Sequence, residues 1–252
     1  MIKSNHLIKN YGEKRVVDDV NLDLPKGKLI AFIGSNGAGK STLISMLSRI
    51  ITRTEGSVFV DEKEISQWES SDLSKRLSIL KQSNHLNIRL TVRELVSFGR
   101  FPYSQGRITK EDEEQINKAI SYLDLNEMEN AYLDELSGGQ RQMAYIAMIM
   151  AQNTEYVFLD EPLNNLDMKH SVQIMQVLRK MVDEMNKTIM VVIHDINFIA
   201  NYADYIVAMK NGRVISEGRA EDMIKREVLS QVYDMDIEVQ TLNGKPVCLY
   251  YN

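Results

Sequence analysis

The chain is poor in the features that mark membrane-spanning, secreted or nucleic-acid-binding proteins. Cys248 is its only cysteine, so no disulfide can form within it and a reducing compartment is expected. No run approaches the ~18 consecutive apolar residues that a membrane span needs. Residues 1–10 lack the apolar stretch of a signal peptide. There is no low-complexity tract and no fixed-period repeat. Basic charge is not in excess either. The formal net charge is −5 with both signs mixed along the chain, which argues against a nucleic-acid footprint. A soluble intracellular chain is expected, with any membrane role arising through a partner. With 252 residues, 44% of them hydrophobic, one large domain or two small ones can be filled.

What is present begins with Gly34-Ser35-Asn36-Gly37-Ala38-Gly39-Lys40-Ser41-Thr42. This stretch fits the phosphate-loop pattern G-x-x-x-x-G-K-[ST]. Leu29-Ile30-Ala31-Phe32-Ile33 before it reads as a buried strand, and Leu43-Ile44-Ser45-Met46-Leu47 after it suits a helix. Gly37 and Gly39 let the backbone wrap an anion closely, and successive N–H groups at a helix start supply positive partial charge. Lys40 would reach β- and γ-phosphates, and Ser41 would place its hydroxyl on Mg²⁺.

Further strands are expected at Gly56-Ser57-Val58-Phe59-Val60, Leu77-Ser78-Ile79-Leu80, Tyr156-Val157-Phe158-Leu159 and residues 188–193, the last a buried one. Residues 20–24 alternate as a half-buried strand, and Asn211-Gly212 and Asn243-Gly244 mark hairpins. Thr91-Val92-Arg93-Glu94 is a capping box, residues 99–106 read as loop, and 109–125 and 171–185 read as helices. Residues 220–231 read as helix and 237–250 as a terminal hairpin, and the C-terminal part, 220–252, reads as a cap on the sheet in preference to a brace on a dimer. Residues 83–153 are expected to form a mostly helical insert. The reading is an α/β fold with a mainly parallel sheet, whose ligands sit at the carboxyl ends of the strands.

Three polar sites fall at such ends. One is the phosphate loop. The second is Asp160-Glu161, two acids closing an apolar run, which is costly unless a cation or a reaction uses them. Asp160 would hold Mg²⁺ through water, and Glu161 would take a proton from an attacking water. The third is His194, placed to hydrogen-bond a γ-phosphate oxygen. A separate stretch, Leu136-Ser137-Gly138-Gly139-Gln140, fits both a helix capping box and a second anion site. Two anion sites, only one with a lysine, invite pairing with a second copy.

Together these residues resemble the nucleotide-binding subunits of ATP-binding-cassette transporters, over residues 2–218 and in the family's motif order. The resemblance implies a P-loop NTPase core (residues 1–82 and 154–219) with an N-terminal antiparallel β subdomain. It also implies a helical subdomain (83–153) and a C-terminal extension (220–252). Residues 34–42, with Tyr11 stacked on adenine, would bind ATP. Gln82 would sense Mg²⁺ and the attacking water, and Asp167 would lie in a loop crossing between subunits. Two copies would pair head to tail, each Ser137–Gln140 turn facing the partner's γ-phosphate. A permease helix would dock near residues 82–103, where Leu90, Phe98, Phe101 and Tyr103 look exposed. The chain would then sit at the cytoplasmic face of the membrane, served indirectly by an extracellular substrate-binding protein. Residues 90–106 and 160–171 are similar to ATPases of iron–siderophore importers. Met143 and Asn164-Asn165 depart from the commoner family pattern. An importer for cobalamin or haem, a cassette ATPase acting on ribosomes or DNA, and a P-loop kinase remain as other readings.

Overall fold

The computed structural model describes residues 1–82 and 88–251. Ser83 and Asn84, part of the stretch 81–84 at which the strand at residues 77–80 is expected to end, lie outside the described residues, as does the rest of 83–87. The described elements run β1 (Ile2–Tyr11), β2 (Lys14–Leu24), β3 (Leu29–Ile33), α1 (Lys40–Leu47), β4 (Glu55–Val60), β5 (Lys63–Glu64), α2 (Ser70–Leu73) and β6 (Leu77–Leu80). Then come α3 (Val92–Phe98), α4 (Phe101–Ser104), α5 (Lys110–Tyr122), α6 (Gly138–Gln152), β7 (Tyr156–Asp160), α7 (Met168–Met185), β8 (Thr188–Val192) and α8 (Ile196–Tyr202). The chain closes with β9 (Tyr205–Lys210), β10 (Arg213–Arg219), α9 (Ala220–Met223), α10 (Arg226–Tyr233), β11 (Glu238–Leu242) and β12 (Lys245–Leu249).

The central sheet has the order β10-β9-β3-β8-β7-β6. Its last five strands are parallel, and β10 adds an antiparallel edge through the Asn211-Gly212 turn. Asn211 (φ 51°) and Gly212 (φ 81°) both take the left-handed conformation that such a two-residue hairpin requires. Strands β3, β7 and β8 are buried throughout, and strand periodicity divides their side chains between two cores. Leu29, Ala31 and Ile33 face one core, while Ile30 and Phe32 face another on the opposite side. Helices α3, α5, α6, α7 and α8 cover the first side, and α1 with the antiparallel sheet β2-β1-β4-β5 covers the second. Each leucine, isoleucine or phenylalanine so buried contributes roughly 1.5–3 kcal/mol relative to exposure.

Between β6 and β7 the described chain builds no ladder strand, only helices, turns and one isolated bridge between Thr91 and Tyr132. The capping boxes at Thr91, Thr109 and Ser137 all form. The stretch read as loop at 99–106 contains a one-turn helix, α4. Its geometry follows from Pro102 in the first turn and from Arg100, which is buried. The Arg100 guanidinium donates to Asp112 Oδ1 (2.8 Å) and to the Ala151 carbonyl (2.9 Å), pinning α4 to α5 and α6. Leu90 is buried, whereas Phe98, Phe101 and Tyr103 are exposed at 49%, 58% and 39%.

Three other expectations are corrected. The helix read from residue 171 starts at Met168, because Asp167 accepts from the His170 N–H and caps it earlier. The segment 220–231 is two helices, broken at Ile224 (φ −83°, ψ 68°). The terminal hairpin adds no strand to the large sheet, since β11 and β12 pair only with each other; residues 220–252 meet the core through Met223, Leu229, Val232 and Cys248 instead. The hairpin rests on α8, where Asn197 brackets the Cys248 peptide through its N–H (2.8 Å) and its carbonyl (3.3 Å). Cys248 is buried there, and burial pushes its thiol up to about 11. No helix among the described residues is long and apolar enough to cross a membrane.

Candidate active site

The carboxyl ends of β3, β8, β7 and β6 deliver His194, Asp160, Glu161, Gln82 and the phosphate loop to one edge of the sheet. A cavity of about 530 Å³ opens there, lined by Asn36 to Thr42, Gln82, Glu161, Asn164, His194 and Val16. Gly37 (φ 78°) is required by conformation alone, Gly34 and Gly39 by space as well. Gly34 (φ 138°) would put a Cβ 2.1 Å from the Met209 carbonyl oxygen, and Gly39 (φ 100°) would put one 2.6 Å from that of Val16. Gly39 is also the N-cap of α1, so the loop hands directly to a helix start with its N–H groups toward the cavity.

Lys40 is buried and donates to the carbonyls of Gly34 (2.8 Å) and Ser35 (3.0 Å), which hold its ammonium against the loop. Burial lowers its pKa, while the charges of Glu161 and Asp160 oppose that shift. Asp160 is also buried, and burial raises its pKa against the pull of a hydrogen bond from the Ser41 hydroxyl (2.7 Å). An acid penalised in this way is a site that welcomes a cation. Ser41 and Asp160 present hard oxygen donors at the loop mouth, which suits Mg²⁺ carried in by phosphate with one or two protein ligands. Among the described residues no cluster of three or more His, Cys, Asp or Glu could cage a metal.

Glu161 closes β7 with φ 53°. Its carboxylate meets Gln82 Nε2 (2.6 Å), the Asn164 amide and His194 Nε2 (2.8 Å). Gln82, Glu161 and His194, expected to act together, are thus in contact. Asn164 was read only as a departure, and its part here was missed, as was the part of Val16. A polar residue three positions past a strand-terminal acid was the available signal for Asn164. Val16 carried none, since β2 reaches the loop only through the folded chain.

Tyr11 is not among the residues lining the cavity. It ends β1 exposed, with Lys9 Nζ 4.9 Å from its ring centroid. The Ser137–Gln140 turn is not among the residues lining the cavity either. There Ser137 Oγ accepts from the Gln140 N–H (3.2 Å) and Gln140 Oε1 from the Ser137 N–H (3.0 Å). The turn instead abuts residues 165–170. A Cβ on Gly138 would lie 4.0 Å from the Asn165 carbonyl oxygen, and one on Gly139 would lie 2.2 Å from His170 Cγ. Asp167 Oδ1 holds that imidazole through Nδ1 (2.8 Å).

Gly139→Ala should therefore be destabilising although alanine favours a helix. The gain in helix propensity is at most about 1 kcal/mol, while overpacking against a held ring costs about 1–3 kcal/mol. The melting temperature should fall by several degrees, and His170→Ala in the same chain should restore most of it. An unchanged melting temperature for Gly139→Ala would contradict the contact.

The family model described as ABC transporter matches residues 17–164. The petrobactin import ATP-binding protein YclP of Bacillus subtilis (strain 168) is 54% identical over 252 residues, covering 100% of both chains. FatE of Bacillus anthracis, also a petrobactin import ATP-binding protein, is 48% identical over 250 residues, 99% of this chain and 100% of that one. Among solved structures, a dimeric post-hydrolysis state of an ATP-binding cassette bound to ADP and Pi superposes with a TM-score of 0.77. It is 29% identical, covering 87% of this chain and 99% of the other.

Proposed function

The chain belongs to the ABC transporter family, and from that premise we propose that it is the ATP-hydrolysing subunit of a ferric-siderophore importer. The observation that carries the ATPase reading is the meeting of Gln82, Asn164 and His194 on the Glu161 carboxylate, across one cavity from the Lys40 loop. The cargo reading is supported by full-length identity to petrobactin import subunits in two Bacillus species.

Residues 34–42 cradle the phosphates of ATP, and Lys40 neutralises their charge. Ser41, Asp160 and Gln82 would hold Mg²⁺, which would supply positive charge to offset that of the phosphates. Glu161 takes the proton of the attacking water, and His194 donates to the γ-phosphate. Tyr11 offers its exposed ring to the adenine. Ser137, Gly138, Gly139 and Gln140 at the start of α6 serve the nucleotide of the partner copy in a head-to-tail homodimer, with Asp167 at the crossing. The division into a nucleotide-binding core, a helical segment and a C-terminal extension goes with this reading. So does a permease seated on the exposed Phe98, Phe101 and Tyr103, which would hold the chain at the cytoplasmic face of the membrane. The substrate-binding protein acts through that permease without touching this chain.

Uptake of labelled ferric petrobactin by cells lacking this chain tests the proposal. The wild-type chain should restore uptake and Lys40→Ala should not. Normal uptake in the deletion strain would overturn the cargo assignment.

A further inference from the structure

The Glu161 carboxylate is held by donors of two kinds. Gln82 and His194 come from the ends of other strands, and the function proposed above gives each a second duty, at the metal and at the γ-phosphate. While they serve there they cannot fix the carboxylate. Asn164 comes from the same turn as Glu161. Its backbone N–H donates to the Glu161 carbonyl (3.3 Å), closing the turn, and its side-chain amide reaches back to Oε2. Glu161 at φ 53° and Asn165 at φ 59° set the backbone so that this reach is possible. Among the described residues the Asn164 side chain makes no other hydrogen bond. It also leaves Oε1, which meets only His194, as the oxygen on which a water can act.

Resting on Glu161 as the base, we propose that Asn164 is a positioning residue for hydrolysis, whose amide fixes the Glu161 carboxylate while Gln82 and His194 engage the nucleotide. An amide suits the task. It donates at any pH, it adds no charge beside two acids, and it spans the gap that serine or alanine would leave open. The asparagine, a departure from the commoner family pattern, is then a functional choice at this position.

The full-length chain tests this by steady-state and single-turnover ATP hydrolysis. Asn164→Ala is expected to lower kcat about tenfold with KM for ATP changed less than about twofold, as for an interaction that acts only on the chemical step. Asn164→Asp keeps the shape, loses the donor and adds a like charge, so its kcat should fall at least as far at an unchanged melting temperature. In a Glu161→Gln background, adding Asn164→Ala should change the residual single-turnover rate less than about twofold, because its effect passes through Glu161. A normal kcat in Asn164→Ala and Asn164→Asp beside an inert Glu161→Gln would overturn this inference alone, as would an equal tenfold loss in both backgrounds. Full turnover by Glu161→Gln would remove the base itself and the inference with it.

Discussion

Lys40→Ala is expected to bring ATP turnover to background and to weaken ATP binding at least about a hundredfold, the scale of losing charge-assisted hydrogen bonds worth about 3 kcal/mol. The argument is geometric. Lys40 is the only lysine or arginine among the described residues lining the cavity, and two loop carbonyls hold it in place. Two acids stand nearby, and their charges raise the cost of bringing a polyphosphate into the same space. Removing the ammonium leaves backbone N–H groups and a helix start, which favour an anion by about 1 kcal/mol and cannot offset that repulsion. Lys40→Arg should also fail, since a planar guanidinium does not fit a place shaped for a compact ammonium. Titration with a fluorescent ATP analogue reads the result directly. Wild-type affinity in Lys40→Ala would remove the loop from the account.

Glu161→Gln is expected to lower kcat by about 10³-fold or more, the range of a lost general base, while leaving ATP affinity within a few-fold. The isostere keeps the side-chain volume at the end of β7 but loses the proton acceptor. It also presents an NH₂ group where the carboxylate met only donors, from Gln82, Asn164 and His194, so that network must rearrange. Rearrangement of an edge cluster costs little stability compared with the lost chemistry. A near-normal melting temperature with no turnover is the expected pair of results, read by calorimetry and by phosphate release.

The central sheet was largely legible because its strands are short apolar runs ended by polar residues, and the phosphate loop because its pattern is dense. The capping boxes at Thr91 and Ser137 were legible for a local reason: cap and partner lie three residues apart. Other parts were not. α8 escaped notice because seven residues give too little periodicity, and because its cap, Asp195, read as the end of the preceding strand. α4 was hidden because a buried Arg100–Asp112 pair, twelve residues apart, fixes it. Asn164 depends on a left-handed Glu161, which no local preference announces. Val16 touches the loop only after β2 has folded against it. Exposed Tyr11 and the Ser137 turn share a cause of another kind: within one chain neither lines the cavity, so their proposed roles depend on the nucleotide and on a second copy.

That second copy is the claim most in need of a direct test. Light scattering of Glu161→Gln with ATP and Mg²⁺ should give the mass of two chains, and addition of Ser137→Arg to the same chain should return it to one. A single-chain mass for Glu161→Gln under saturating nucleotide, or a dimer indifferent to Ser137→Arg, would contradict a nucleotide held between the Lys40 loop of one copy and the Ser137 turn of the other.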